Sequence, residues 1–303
     1  MKEIVLSEDI LPNLYDIYKE SKFKHPLLNP YQIYARQNIR KIKFLLLKEG
    51  YTYFNVRKNR YLKILTAIFP LITSRNYEDE IKDFIRNYKN YFGITKILHV
   101  YTRNELDYIK LFNNIEKENY SYVINDDSWK PNRKINYYVK LAEKENIHII
   151  NEFNFDIYKE YYENCYLQTL ESKESTKLQA GYKFFEYLAK KDMLRSVFGL
   201  LDNKIISGVF ILYDEESRIG YYIDAASSQE GKKLGANYLL LYNQINYFRE
   251  KGYILDLGGA PLGKLKKWDD IFLFKKKWGK VVDMPLITLK NFLTVILYKF
   301  RKF

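Results

Sequence analysis

The sequence predicts an α/β (α+β) protein made of mixed β-sheets flanked by helices, in two similar halves. Three observations lead there. In the second half, three consecutive strand-like runs are followed by helix, strand, helix and strand, a pattern that builds a mixed sheet covered by helices. The first half shows a shorter version of the same grain. No linker or low-complexity stretch interrupts the 303 residues, and 47% of them are hydrophobic, enough for two cores of ordinary size.

The elements follow in order. Asp9 to Glu20 reads as a helix with Leu14, Ile17 and Tyr18 on one side. His25-Pro26-Leu27-Leu28-Asn29-Pro30 reads as a breaker, because each proline disfavours helix just before it. Ile42 to Leu47 and Tyr51 to Val56 read as a hairpin about Lys48-Glu49-Gly50. Asn76 to Phe92 is an amphipathic helix, with Ile81, Phe84, Ile85 and Tyr88 at helical spacing and Gly93 as its stop. A strand over Ile97 to Tyr101 and a helix over Glu105 to Glu118 are expected next. Asn132 to Glu145 begins basic and continues as helix, and Ile147 to Asn151 is a short strand. The domain boundary is placed near Asn146 to Asn151, dividing residues 1–146 from residues 147–285.

In the second half, helices are expected over Asp156 to Ser172 and Thr176 to Lys191. Strands follow over Arg195 to Leu201, Ile205 to Leu212 and Arg218 to Ala225. Their turns, Asp202-Asn203-Lys204 and Asp214-Glu215-Glu216-Ser217, use residues that tolerate left-handed backbone. Then come a glycine turn, a helix over Gly235 to Lys251 and a strand over Tyr253 to Leu257. Residues 286–303 read as an amphipathic helix with Leu289, Phe292, Leu293, Ile296, Phe300 and Phe303 in one stripe. Lys299, Arg301 and Lys302 sit at its tip. It either closes the core or makes a peripheral contact with an anionic membrane at the inner face.

Composition narrows the partners. The 50 Lys and Arg against 37 Asp and Glu leave a net charge of +13. That favours nucleic acid, a phosphorylated small molecule or an anionic membrane, or else reflects a lysine-rich solvated surface. The single cysteine, Cys165, permits no intrachain disulfide and reads as a small buried hydrophobe on a helix. His25, His99 and His148 are scattered, with no HExxH or Cys/His cluster, so no metal site is expected. No secretory leader pattern and no run of about 18 apolar residues occurs, and a cytoplasmic location is expected. There is no GxSxG elbow, P-loop or GxGxxG. Asp126-Asp127 and Asp269-Asp270 read as surface carboxylates.

Three segments carry chemistry. Ser227 to Gly235 holds Lys232 and Lys233 and opens a helix, which suits a pyrophosphate or a tRNA phosphate; the plain alternative is an exposed β–α turn. Asp256-Leu257-Gly258-Gly259 ends an apolar strand. The glycines allow close approach of a ligand, or the Asp simply closes the strand end. Phe272 to Gly279, FLFKKKWG, is an amphipathic segment that stacks a base, places a lysine at an oxyanion, or does neither.

In that order and spacing, over about Phe153 to Asp283, these segments resemble the Gcn5-related N-acetyltransferase (GNAT) fold. Within it they resemble the Fem/peptidoglycan-bridge aminoacyltransferase-like (FemAB-related) branch. Leu234-Gly235-Ala236-Asn237 is similar to the branch's helix start, Asp256-Leu257-Gly258-Gly259 to its strand end, and Phe274-Lys275-Lys276-Lys277-Trp278-Gly279 to its Phe-Lys-x-x-aromatic-Gly. Arg133-Lys134 through Ala142 to Ile150 is similar to its inter-domain segment, and the N-terminal half matches in outline. The resemblance implies tandem GNAT-like domains, the first degenerate. It implies transfer of an acyl or aminoacyl group to an amine of a cell-envelope precursor or other polar acceptor. Lys275 would face the developing negative charge, and Asp256 would take the amine proton or orient the acceptor. Lys232, Lys233, Gly235, Asn237 and Phe274 would hold the donor. Tyr222, Asp224, Gly258 and Gly259 would line the acceptor side. No tightly bound cofactor is implied; the donor is a co-substrate. One departure bears on its identity. Acyl-CoA enzymes carry Arg/Gln-x-x-Gly-x-Gly/Ala at this turn, and here Asn237 stands where the small residue belongs. That leans toward aminoacyl-tRNA over acyl-CoA. A CoA-dependent N-acyltransferase acting on an amino sugar or small amine is the alternative. A non-catalytic RNA- or envelope-binding protein with this fold is a second.

Overall fold

The computed structural model describes residues 1–58, 63–68, 72–88, 94–98, 115–172, 181–260 and 266–290. The chain forms two compact units, Met1–Tyr120 with Asp283–Phe303, and Ser121–Val282. The expected boundary at Asn146 to Asn151 falls inside the second unit. The reason is that the helix before it buries Ile135, Val139 and Ala142 in that unit's core.

In the first unit, β1 (Lys2–Ile4), β2 (Ile42–Leu46), β3 (Gly50–Lys58) and β4 (Lys63–Ile68) pair antiparallel in sequence order. A short β5 (Thr73–Ser74) pairs with β3, and β6 (Ile94–Leu98) runs parallel to β4. The hairpin is therefore present. Helix α1 (Leu11–Glu20) buries Leu14 and Tyr18 with Phe44 and Tyr51 of the hairpin. The proline segment does not simply break structure. Pro30 opens a second helix, α2 (Pro30–Gln37), because its fixed φ suits the first helical position and Asn29 accepts a hydrogen bond from Tyr31 N–H. Tyr51 and Tyr53 hydroxyls donate to the carbonyls of Leu28 and Leu27, each at 2.7 Å. Helix α3 (Tyr77–Tyr88) buries Ile81 and Phe84 as its spacing requires.

Two expectations need correction. Ile115 to Glu118 belong to a strand, β7 (Ile115–Asn125), and not to a helix. Its partner is remote in sequence, so local propensity was overridden by pairing. Glu105 to Asn114 lie outside the described residues. The expected helix over 286–303 fails at its start, since Leu286 to Lys290 pair antiparallel with Leu98 to Ile94. Residues 291–303 lie outside the described residues. Among the described residues no helix is long and apolar enough to cross a membrane.

The second unit contains α4 (Arg133–Lys144), β8 (His148–Ile150), α5 (Phe155–Tyr161), a π-turn at Tyr162–Tyr166, α6 (Leu167–Ser172) and α7 (Tyr182–Lys190). Then follow β9 (Leu194–Leu201), β10 (Lys204–Asp214), β11 (Ile219–Ser227), α8 (Gln229–Leu234), α9 (Ala236–Glu250), β12 (Ile254–Ala260) and α10 (Lys266–Lys275). The last strand, β13 (Lys280–Lys290), returns the chain to the first unit. Strands β8, β9, β10 and β11 are neighbours and antiparallel; β12 is parallel to β11, and Ser121 to Asn125 pair antiparallel with β12. The β11–β12 pair is the predicted crossover, with α8 and α9 as its connection. Asp202 and Asn203 both have positive φ, the backbone that a tight hairpin requires.

The sheet of this unit is buried on both faces. On one, α4 and α9 cover Val197, Val209 and Leu255. On the other, Phe210 stacks on Phe185 at 4.4 Å and meets Phe198 and Tyr161 edge-on or tilted. This explains why Ile205 to Leu212 are all buried instead of alternating. Cys165 is buried in the π-turn with Sγ toward Ile205 O, and burial pushes its thiol up to about 12, as an inert side chain requires.

Candidate functional site

The site is built where β11 and β12 part. Their parallel ladder ends at the Tyr221–Asp256 pair, although β11 runs on to Ser227 and β12 to Ala260. Both strands carry a bulge at that level. In β11, Phe210 faces Asp224 while Ile211 faces Tyr222, so Ile223 is the extra residue. In β12, Asp256 faces Ile124 and Gly259 faces Tyr122, so one residue of Leu257-Gly258 is extra. A bulge bends its strand and sharpens its twist. Two of them side by side separate the strands and open a wedge within the unit.

Beside the wedge lies a cleft of about 270 Å³. Ala225 and Ser227 of β11, Lys232 of α8, Gly235 and Asn237 at the start of α9, and Phe274 of α10 line it. Four of the five expected donor residues are thus brought together. Lys233 is exposed and does not line the cleft, because α8 turns it away. Thr169 and Tyr238 also line it and were not anticipated. In a chain with 30 tyrosines, no local signal singles one out.

The glycine turn differs from expectation. Residues Gln229–Leu234 are helical, capped by Ser228 Oγ, which accepts from Gly231 N–H at 3.0 Å. Lys232 N–H bonds Ser228 O, and Gly235 N–H bonds Gly231 O. The backbone amides of Gly231, Lys232 and Gly235 are therefore used inside the turn and do not converge on an outside anion. Gly235 is left-handed, with φ at 76°, and ends α8 so that α9 can start in a new direction.

On the wedge, Tyr222 and Asp224 come from the bulge of β11, and Gly258 and Gly259 from that of β12. Burial pushes the Tyr222 hydroxyl well up, and the Asp224 carboxylate pushes it further, against a smaller opposing hydrogen bond from Asn237. Burial and then Asp224 raise Tyr158 and Tyr161 in the same way. Asp224 thus sits among three phenols that stay protonated at neutral pH. Lys275, at the end of α10, is half-buried and places Nζ 5.6 Å from the centre of the Tyr222 ring. Phe274 stands edge-on to Tyr238 at 5.5 Å and forms the cleft wall. Lys277 reaches the cleft wall instead, with Nζ 3.4 Å from Tyr238 Oη, and Lys276 is exposed.

Asp256 is fully buried, and its Oδ1 accepts from Gly258 N–H at 2.6 Å. This geometry favours the strand-closing reading over proton transfer. Asp256→Asn keeps an acceptor oxygen there, so it should retain turnover within about 3-fold, whereas Asp256→Ala should lower stability by about 1–3 kcal/mol. Loss of turnover in a stably folded Asp256→Asn would instead make the carboxylate a proton acceptor. The comparison needs a rate assay and a thermal melt of each variant.

The Trp-Gly end of the motif is structural. Trp278 is fully buried and stacks on Trp129 at 5.8 Å, and a side chain at Gly279 would lie 2.3 Å from Ile124 O. In the first unit, Arg36 on α2 is 8% exposed, and its Nε and Nη2 have no hydrogen-bond partner among the described residues. The sequence reading did not single it out.

No family model and no curated protein matches this sequence. Solved structures do match it in fold. FemX is similar at a TM-score of 0.69 and 12% identity, over 100% of this chain and 100% of that one. L-PGS from Bacillus licheniformis is similar at 0.66 and 12%, over 97% and 95%. A GNAT-family acetyltransferase from Colwellia psychrerythraea is similar at 0.51 and 10%, over 96% and 98%. The chain has the GNAT-type α/β fold shared by these proteins, in its tandem, Fem-like form.

Proposed function

Proceeding from the tandem GNAT-type fold, we propose that this protein is an acyltransferase that moves an aminoacyl group from aminoacyl-tRNA to an amine of a cell-envelope precursor or other polar acceptor. The observation that carries the acyl-transfer reading is the wedge between β11 and β12, with a half-buried ammonium at its edge and a cleft beside it. The acceptor amine attacks the ester carbonyl, a C–N bond forms, and the bond between the carbonyl carbon and the ribose oxygen breaks. The amine proton leaves with the ribose oxygen. Lys275 opposes the negative charge that develops on the carbonyl oxygen, and Phe274 and Tyr238 wall the donor. Tyr222 is a neutral phenol that donates and accepts without adding charge.

The donor assignment rests on the α8 turn. The amides of Gly231, Lys232 and Gly235 are taken by the turn's own backbone and by Ser228, which leaves those three unable to cradle a pyrophosphate. Lys232 remains at the cleft as a point charge suited to a nucleic-acid phosphate. Binding of charged tRNA should therefore weaken about 3-fold between about 50 and 200 mM salt, as the counterions released by one neutralised phosphate require. Acetyl-CoA should bind weakly throughout. Calorimetry with both donors tests this. Tight acetyl-CoA binding with no affinity for charged tRNA would promote the CoA-dependent alternative, which the small Ala225–Ala226–Ser227 wall also accommodates. Binding of tRNA without turnover of any donor would favour a non-catalytic RNA-binding role.

A further inference from the structure

Gly258 is the place where two polar side chains meet. Its φ is +68°, a left-handed backbone held by the bond from its N–H to Asp256 Oδ1. A side-chain carbon at this position would lie 3.3 Å from Lys275 Nζ and 3.5 Å from Tyr221 Oη. An ammonium and a phenol thus converge on one point above a residue with no side chain. They arrive from different elements. Tyr221 is the last residue of the β11–β12 ladder, opposite Asp256. Lys275 is the last residue of α10, and the Tyr222 ring faces it from the other strand bulge.

A lysine side chain has four rotatable bonds and loses about 2 kcal/mol of rotamer entropy when fixed. A group that stabilises an oxyanion is effective only if it is already in place. A phenol oxygen and a π-face attract an ammonium without cancelling its charge, and Tyr221 and Tyr222 are groups of this kind.

We infer that Tyr221 is a positioning residue whose hydroxyl fixes the Lys275 ammonium at the mouth of the wedge, and that Gly258 is glycine because the two must meet there. The role in turnover rests on the acyl-transfer reading, but the contact does not. The two are therefore tested separately. In the full chain with 13C-methylated lysines, the Lys275 signal is identified by its absence from Lys275→Arg. Tyr221→Phe keeps the ring and removes only the hydroxyl. The Lys275 signal should then move by more than its linewidth toward the exposed-lysine position, and Gly258→Ala should displace it as well. An unmoved signal in Tyr221→Phe overturns the inference, whatever happens to the melting temperature. On the donor that calorimetry identifies, Tyr221→Phe should lower kcat about 10-fold at nearly constant KM, with no further loss when combined with Lys275→Ala. Additive losses would show that Tyr221 acts apart from Lys275 and would also overturn it. If the wild-type chain turns over neither charged tRNA nor acetyl-CoA, the acyl-transfer reading fails, while the lysine signal still decides the contact.

Discussion

Lys275→Ala should lower turnover by about 10²-fold or more while the fold survives. The side chain is half-buried at the end of α10 and fills no core cavity, so its loss leaves the packing of Phe272 and Trp278 unchanged. What disappears is a positive charge held against the Tyr222 face, beside a cleft whose walls are largely apolar or small. A charge in such a partly desolvated setting acts on a developing oxyanion far more strongly than one in water. The measurement is kcat on the true donor and acceptor, with a thermal melt as the control for folding. Lys275→Arg separates charge from shape, since it keeps the first and alters the second. An unchanged rate in Lys275→Ala would remove this residue from the mechanism and leave the wedge backbone as the stabilising group.

The largest effect on stability is expected from Gly231→Ala. A Cβ at Gly231 would lie 2.2 Å from Ile206 O and 3.1 Å from its carbonyl carbon. Backbone of a buried strand cannot yield as a flexible side chain does, so α8 must lift from β10. The expected loss is about 3 kcal/mol, the upper end of what overpacking costs. It should appear as a lower denaturant midpoint with an unchanged slope. Lifting α8 also moves Lys232 away from the cleft, so affinity for charged tRNA should fall with stability. A variant as stable as the wild type would mean that α8 does not seat on Ile206. The function of Gly231 is thus close packing, and not the binding of an anion by its own amide.

Much of the fold was legible in the chain. The β9–β10–β11 meander, the α9 crossover and β12 follow from strand-like runs, Asp/Asn turns and one long helical pattern. Residues that line the cleft were legible because Gly235, Asn237 and Phe274 stand in short motifs with a fixed order. The opening of a helix at Pro30 was less so, since a proline that breaks a helix and one that starts it look alike without the cap at Asn29. The register shifts at Ile223 and in Leu257-Gly258 have no local signature. The first is set by the register of β11 on β10, and the second by pairing of β12 with β7, which lies far away in sequence.

The sequence by itself determined the class of fold, the place of the three motif segments and, with its single cysteine, the absence of any intrachain disulfide. Periodicity, turn chemistry and composition are local properties, and they survive in the unfolded chain. Only the tertiary structure decided which groups meet. It turned Lys233 out of the cleft, gave the α8 amides to Ser228 and the turn itself, and buried Asp256 against Gly258. It made Leu286 to Lys290 a strand by offering β6 as a partner. It also brought Tyr221 and Lys275, 54 positions apart in the numbering, to one point above Gly258. Such encounters depend on where two strands separate and how two helices end, and both are decided by contacts between residues that the sequence keeps far apart.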